Sequence, residues 1–316
     1  MFLISLISSI LICISSNSIL TMWMSMEINL FSMIPIISLD QKLNSEKSSM
    51  VYFLVQSISS TMILMSICLE SMDFNYTPFS TFMMVGIFMK LGLFPFHQWM
   101  MSAIEGMSWF VSFFLMTIQK IIPLMVIMQF SEKKIIIFLC LLNSLFSSIM
   151  SITMFSMRKI MIISSMNHLS LMIISLMLSK TMLKIYFIIY STMTFMATKL
   201  FEKLQVNFIF QTMTLIKKNK INNMIFLTIF LSMAGVPPFL GFMPKMLTIM
   251  LMMKSKMILT VMLILVFNSL STFMYLRASL NNILMNLNIN KIKKKDKKSD
   301  KFPLFMILSP LIILLM

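Results

Sequence analysis

The sequence predicts an all-α, polytopic membrane protein of about eleven transmembrane helices, two of them broken, around an inverted-repeat core. Three observations carry this reading. Of 316 residues, 59% are hydrophobic and 11% charged, with a mean hydropathy of +0.93, whereas a soluble domain carries about 25% charged residues. Apolar runs of roughly 17–25 residues recur from end to end, the length that crosses a bilayer as a helix; a β-barrel would alternate in shorter segments. Two of the runs are interrupted by proline and glycine beside a lysine.

Taken in order, the apolar runs and their polar breaks place spans at 2–20, 22–38, 51–70, 79–96, 109–129, 134–154, 160–178, 182–203, 222–252, 257–279 and 303–316. The opening stretch, "MFLISLISSILICISSNS", has no basic start and no small-residue cleavage site, so it is expected to remain as the first helix. No Arg-rich amphipathic presequence is visible, which fits local synthesis better than import. The second span carries the only clear intramembrane acid, Glu27, in "TMWMSMEINLFSMIPII". In the fourth, Lys90 and Gly92 precede Pro95. In the fifth, Lys120 lies mid-span between Gln119 and Pro123. The seventh contains His168 in "SSMNHLS". Lys199, Lys203 and Arg277 fall near helix ends, where a long cationic side chain can snorkel.

The ninth segment, 222–252, would extend ~46 Å as one helix, well beyond a bilayer's ~30 Å core. Pro237 and Pro238 interrupt it, flanked by Gly235 and Gly241, and Lys245 follows. Proline removes backbone donors and breaks the helix. Freed backbone groups at membrane depth persist only where protein or a water-filled cavity satisfies them, and such broken helices mark ion sites in transporters. Two breaker-plus-lysine segments in separate halves suggest an internal inverted repeat. The eleventh span has only fourteen residues, short for a crossing. No soluble domain fits between the spans, so 1–316 reads as a single integral membrane domain with a basic loop at 281–301 and a short C-terminal helix at 303–316.

Loop charges set the orientation. One side holds fourteen basic residues: Lys42, Lys47, Arg158, Lys159, Lys217, Lys218, Lys220 and seven lysines from Lys291 to Lys301. The other holds six: Lys133, Lys134, Lys180, Lys184, Lys254 and Lys256. The richer side should face the compartment of synthesis, placing the N-terminus inside and the C-terminus outside. The net charge of +16 is then mainly a topology signal and a contact for anionic lipid, not for nucleic acid.

The 42 methionines, five glycines and two arginines fit an AT-rich coding sequence, with Met as adaptable apolar filler rather than a copper site. Cys13, Cys68 and Cys140 stand alone, without metal or disulfide spacing. Two histidines, His97 and His168, do not suggest paired haem ligation, and no Gly-rich nucleotide loop exists. The sequence thus offers no equipment of its own for redox chemistry or for binding a metal or cofactor.

A charge near mid-membrane costs at least ~2.5 kcal/mol on insertion scales. Any one buried lysine can be read as a structural, snorkelling residue. Three central lysines and one acid together favour an ion or proton path, since a buried lysine readily changes its proton affinity.

Four stretches, "WMSMEINLFSMIPI" (23–36), "KLGLFPFHQW...EGMSWF...QKIIPLM" (90–125), "MRKIMIISSMNHLS" (157–170) and "AGVPPFLGFMPK" (234–245), carry a resemblance. In this order, over most of the chain, they resemble the arthropod form of the subunit 2 family of mitochondrial NADH:ubiquinone oxidoreductase (complex I), one of the antiporter-like families of its membrane arm. The resemblance implies eleven spans in the mitochondrial inner membrane and partners among the other membrane-arm subunits, including neighbouring antiporter-like ones. Lipid, cardiolipin included, is a further expected contact. NADH, FMN, iron–sulfur clusters and ubiquinone are implied in other subunits. It also implies roles: Glu27 as the acid paired with Lys90 at the first broken helix, Lys120 as the central connecting lysine, Lys245 as the lysine of the second broken helix, and His168 on the central polar axis. Phe94, Ser170 and the lack of a proline soon after Trp99 depart from the family pattern. His97 and Glu105 fall in matched motifs and are read as organisers of the inner loop.

Glu27 is then present because Lys90 offsets it. A movable pair acts as a switch: approach favours both ionised forms, and separation lets the lysine release its proton. Other readings stay open. His168 fits a core histidine donating to a neighbour as well as a relay group. The chain also fits a subunit of a multisubunit cation/proton antiporter, or a structural membrane subunit with an inactive pathway.

Overall fold

A computed structural model of the chain describes residues 1–39, 43–71, 76–129, 133–215 and 220–289. Regular structure among them is helical, apart from one antiparallel bridge between Ser156 and Phe208. In hydrocarbon the backbone must satisfy its own polar groups, and a helix does so within one segment. Among the described residues, six helical segments are long and apolar enough to cross a membrane: Ile19–Ser38, Asn44–Glu70, Trp109–Ile127, Ile135–Thr153, Met157–Leu178 and Ile258–Ser279. Phe2–Ser15, Thr81–Leu91 and Met224–Ala234 are shorter apolar helices.

The many serines do not disturb these helices. Ser25, Ser32, Ser59, Ser164 and Ser165 are buried, and each hydroxyl donates to the carbonyl three residues earlier in its own helix. Such local bonds satisfy the hydroxyl's donor within its own helix.

The chain divides into two compact units, Met1–Leu139 and Cys140–Met316. The first contains α1 (Phe2–Ser15), α2 (Ile19–Ser38), α3 (Leu43–Ser71), α4 (Tyr76–Leu91), α5 (Gln98–Gly106), α6 (Trp109–Met116) and α7 (Ile118–Ile127). Helix α3 packs against α2, α4 and α5, and α7 packs against α1, α2, α4 and α6. Helix α8 (Lys133–Thr153) runs from the first unit into the second.

The second unit continues with α9 (Met157–Leu178), α10 (Lys180–Leu204), α11 (Ile209–Leu215), α12 (Lys220–Ala234), α13 (Phe242–Lys254) and α14 (Ile258–Ile289). Helix α9 is its centre: every residue from Ile160 to Leu176 is buried, as expected of a helix apolar on nearly every side. Helices α10, α13 and α14 pack around it.

Two boundaries differ from the sequence reading. The fifth span is not one helix: α6 and α7 are separated at Thr117, which has φ −119° and ψ −73°. The Thr117 N–H donates to Phe113 O (3.0 Å), closing α6 there. The Thr117 hydroxyl also donates to Phe113 O (2.8 Å), a back-bond that bends helices. In addition, α14 continues to Ile289, so the start of the basic stretch at 281–301 is helical. Its lysines from Lys291 onward, and the expected helix at 303–316, lie outside the described residues.

Candidate functional site

Both breaks expected from proline and glycine are present, and they are built alike. α4 ends before Gly92 (φ +64°) and α12 before Gly235 (φ +78°). At the first, Gly92 N–H donates to Met89 O (3.2 Å) and Leu93 N–H to Phe88 O (3.0 Å). At the second, Gly235 N–H donates to Ser232 O (3.1 Å) and Val236 N–H to Leu231 O (3.3 Å). This is the Schellman closure, whose left-handed residue is usually glycine because a Cβ is strained there. The next turns also match: Phe96 N–H donates to Leu93 O (2.7 Å) and Phe239 N–H to Val236 O (3.0 Å). Pro95, in cis after Phe94, and Pro237 and Pro238 occupy the turns. Behind this lies a short sequence likeness, "GLFPF" at 92–96 and "GVPPF" at 235–239. The second break ends at Gly241, where an added Cβ would meet the Ser232 carbonyl oxygen.

The lysines use these breaks differently. Lys90 lies two residues before its glycine, buried in the last turn of α4, and its carbonyl accepts from Gln56 Nε2 of α3 (3.4 Å). Lys245 follows its glycine by one half-helix and reaches back. Its Nζ donates to Ala234 O (2.8 Å) and Met233 O (3.3 Å), the last carbonyls of α12. A helix C-terminus leaves carbonyls without intrahelical donors and carries roughly half a negative charge. Among the described residues, the Lys245 ammonium is therefore seated on carbonyls and not on a carboxylate. Gly235 makes room for it: a Cβ there would lie 2.9 Å from Lys245 Cδ and 3.0 Å from its Nζ.

In the first unit Glu27 projects from α2, within electrostatic reach of Lys90 and of the Tyr52 hydroxyl. Glu27 Oε1 is buried and accepts no hydrogen bond. No hydrogen bond joins Lys90 to that oxygen. Lys120, 1% exposed, stands in the first turn of α7 just after the Thr117 break. Its neighbour Gln119 accepts from Tyr52 Oη (3.0 Å) and donates through Nε2 to Asn29 Oδ1 (3.0 Å), tying α3, α7 and α2 together.

In the second unit His168 sits on α9 with Nδ1 3.0 Å from Tyr186 Oη and its ring 5.3 Å from that of Tyr190. One residue before it, Asn167 Nδ2 donates to Ser271 Oγ (2.8 Å) and Asn268 Oδ1 (3.2 Å) of α14. Of the predicted residues, the structure gathers Glu27, Lys90 and Lys120 in one unit and His168 and Lys245 in the other. Sequence reasoning passed over Asn29, Tyr52, Gln56, Tyr186 and Tyr190. It also treated Arg277 as a snorkelling end residue, whereas its guanidinium donates to Ile152 O (2.7 Å) and Met154 O (2.6 Å) at the end of α8. Among the described residues, no group of three or more His, Cys, Asp or Glu is arranged to hold a metal ion.

Residues 16–272 match a family profile described as NADH:quinone oxidoreductase/Mrp antiporter, TM. The chain is 34% identical over 309 residues to NADH-ubiquinone oxidoreductase chain 2 of Anopheles gambiae, covering 95% of this chain and 90% of that one. It is 31% identical over 296 residues to the corresponding chain of Locusta migratoria, covering 92% and 86%. Its fold resembles a chain of respiratory complex I from Thermus thermophilus with a TM-score of 0.81 at 18% identity, over 97% of this chain and 74% of that one.

Proposed function

The chain belongs to the NADH:quinone oxidoreductase/Mrp antiporter transmembrane family, and within it to the NADH-ubiquinone oxidoreductase chain 2 group, and from that premise we propose that it moves protons through buried side chains as an antiporter-like membrane-arm subunit of NADH:ubiquinone oxidoreductase. Glu27, Lys90 and Lys120 are the proton-handling groups of the first unit, and His168 and Lys245 those of the second. The driving reaction, NADH oxidation and ubiquinone reduction at FMN and iron–sulfur centres, belongs to other subunits. The protein crosses the mitochondrial inner membrane with eleven spans, its N-terminus and lysine-rich loops in the matrix and its C-terminus in the intermembrane space. Those loop lysines also suit anionic headgroups such as cardiolipin.

The observation that carries this reading is the seat of Lys245. Among the described residues, this ammonium is held by helix-end carbonyls, and is stabilised by dipoles rather than by a fixed counter-charge. It can give up its proton without leaving a buried carboxylate uncompensated, which a relay group requires. Lys245→Ala in the assembled complex tests it: NADH oxidation should pump severalfold fewer protons, with the complex still intact. Wild-type proton uptake in that variant would overturn the reading and favour a structural subunit. Gentle purification should bring flavin and iron–sulfur subunits with the chain; their absence would point instead to a cation/proton antiporter assembly.

A further inference from the structure

Around Glu27 the amides of α2 and α7 hold one hydroxyl in a fixed direction. Asn29 Oδ1 accepts from Gln119 Nε2, so the Gln119 amide presents its Oε1 to Tyr52. A side-chain amide oxygen only accepts. Tyr52 must therefore donate to Gln119, and the phenolic proton is engaged on α7. Tyr52 is 1% exposed, with its ring beside that of Trp99 (centroids 6.2 Å apart). It has no solvent to fall back on. Trp99 Nε1 in turn donates to Met89 O, next to Lys90 (3.0 Å). One turn further along α3, Gln56 holds the Lys90 carbonyl; residues four apart share a helix face. Meanwhile Glu27 Oε1 is buried without a donor. A buried acceptor left unsatisfied is costly, and the Tyr52 hydroxyl, which interacts electrostatically with Glu27, is committed to Gln119.

We infer that Tyr52 is a positioning residue of the Glu27–Lys90 site: its hydroxyl alternates between donating to Gln119 Oε1, the arrangement seen here, and donating to Glu27 Oε1. In the first position Oε1 of the carboxylate lacks a donor, and the charge draws on the Lys90 ammonium. In the second, Tyr52 satisfies the carboxylate and the demand on Lys90 falls. No bond to hydrogen breaks at Tyr52; the phenol rotates its own proton from one acceptor to the other. Gln119, adjacent to Lys120, is the alternative acceptor, so the hydroxyl's choice links the acid site to the segment that carries the central lysine.

This rests on the proposed role of Glu27, and the experiment separates the two. Tyr52→Phe, Glu27→Gln and the double variant are compared in the assembled complex by NADH-driven quinone reduction and proton uptake. Tyr52→Phe should lower proton-coupled turnover by ~5-fold, the scale of one lost hydrogen bond, with the KM for quinone unchanged. In the Glu27→Gln background the same change should have little further effect on the residual turnover. An equal loss in both backgrounds makes Tyr52 a packing residue and overturns the inference, as does normal pumping by Tyr52→Phe while Glu27→Gln is impaired. Normal pumping by Glu27→Gln overturns the proposed role of the acid itself, and this inference with it. If Tyr52→Phe does not assemble, Gln119→Met, which removes the acceptor and keeps the tyrosine, carries the same comparison with the same outcomes.

Discussion

Lys245 places its ammonium 2.8 Å from the carbonyl oxygen of Ala234, the residue that closes α12, eleven positions earlier in the chain. The lysine thus caps the half-helix that precedes its own. The contact exists only because Gly235 lacks a side chain and accepts φ +78°.

Gly235→Ala should therefore act twice. A Cβ in the left-handed region costs roughly 1–2 kcal/mol, and it also displaces the Lys245 side chain. The thermal midpoint of the complex should drop slightly and proton uptake should drop much further. Equal, small changes in both would show that the seat of Lys245 is dispensable.

Lys120→Met keeps most of the buried volume and removes the charge. Proton-coupled turnover should fall severalfold while the complex assembles in normal amount, since α7 packs chiefly through apolar neighbours. Pumping at the wild-type rate would make Lys120 structural and require another middle for the path.

Arg277 is bidentate toward the end of α8, with its guanidinium also 5.0 Å over the Phe155 ring. Lysine cannot reproduce the fork. Arg277→Lys should lower stability by about 1–3 kcal/mol, the range for bonds to charged groups, without altering the protons moved per NADH. A changed stoichiometry at normal stability would mean that Arg277 acts in transport instead.

The lysines from Lys291 to Lys301 should face the matrix. Protease added to intact mitoplasts should spare that stretch, and cleavage from the outer face would reverse the proposed orientation of the whole chain.

Much of this was legible in the residues. Pro237, Pro238 and the glycines around them announced the second break because nothing else in an apolar segment can stop a helix so abruptly. Lys90, Lys120 and Lys245 were visible because a charge in hydrocarbon demands a reason. The Thr117 break was not foreseen, because no helix-breaking residue marks it: Pro123 lies further on, inside α7. Tyr52 and Asn29 were hidden by the polar residues around them, and Gln119 stood out only as a neighbour of Lys120. The signal that separates them is reach: most serine hydroxyls donate within their own turn, whereas Tyr52 and Gln119 find partners 67 and 90 positions away.

That difference bears on how such a chain can drift. A serine whose hydroxyl bonds only within its own turn can be exchanged for alanine with no hydrogen bond to another helix lost. A genome that presses strongly on composition can thus rewrite most faces of this protein one position at a time. The few side chains bonded across helices form the part of the vocabulary that cannot be respelled singly: a change at Asn29, Gln119 or Tyr52 strands a partner on another helix. Mutational pressure and proton chemistry therefore act on different letters of the same span.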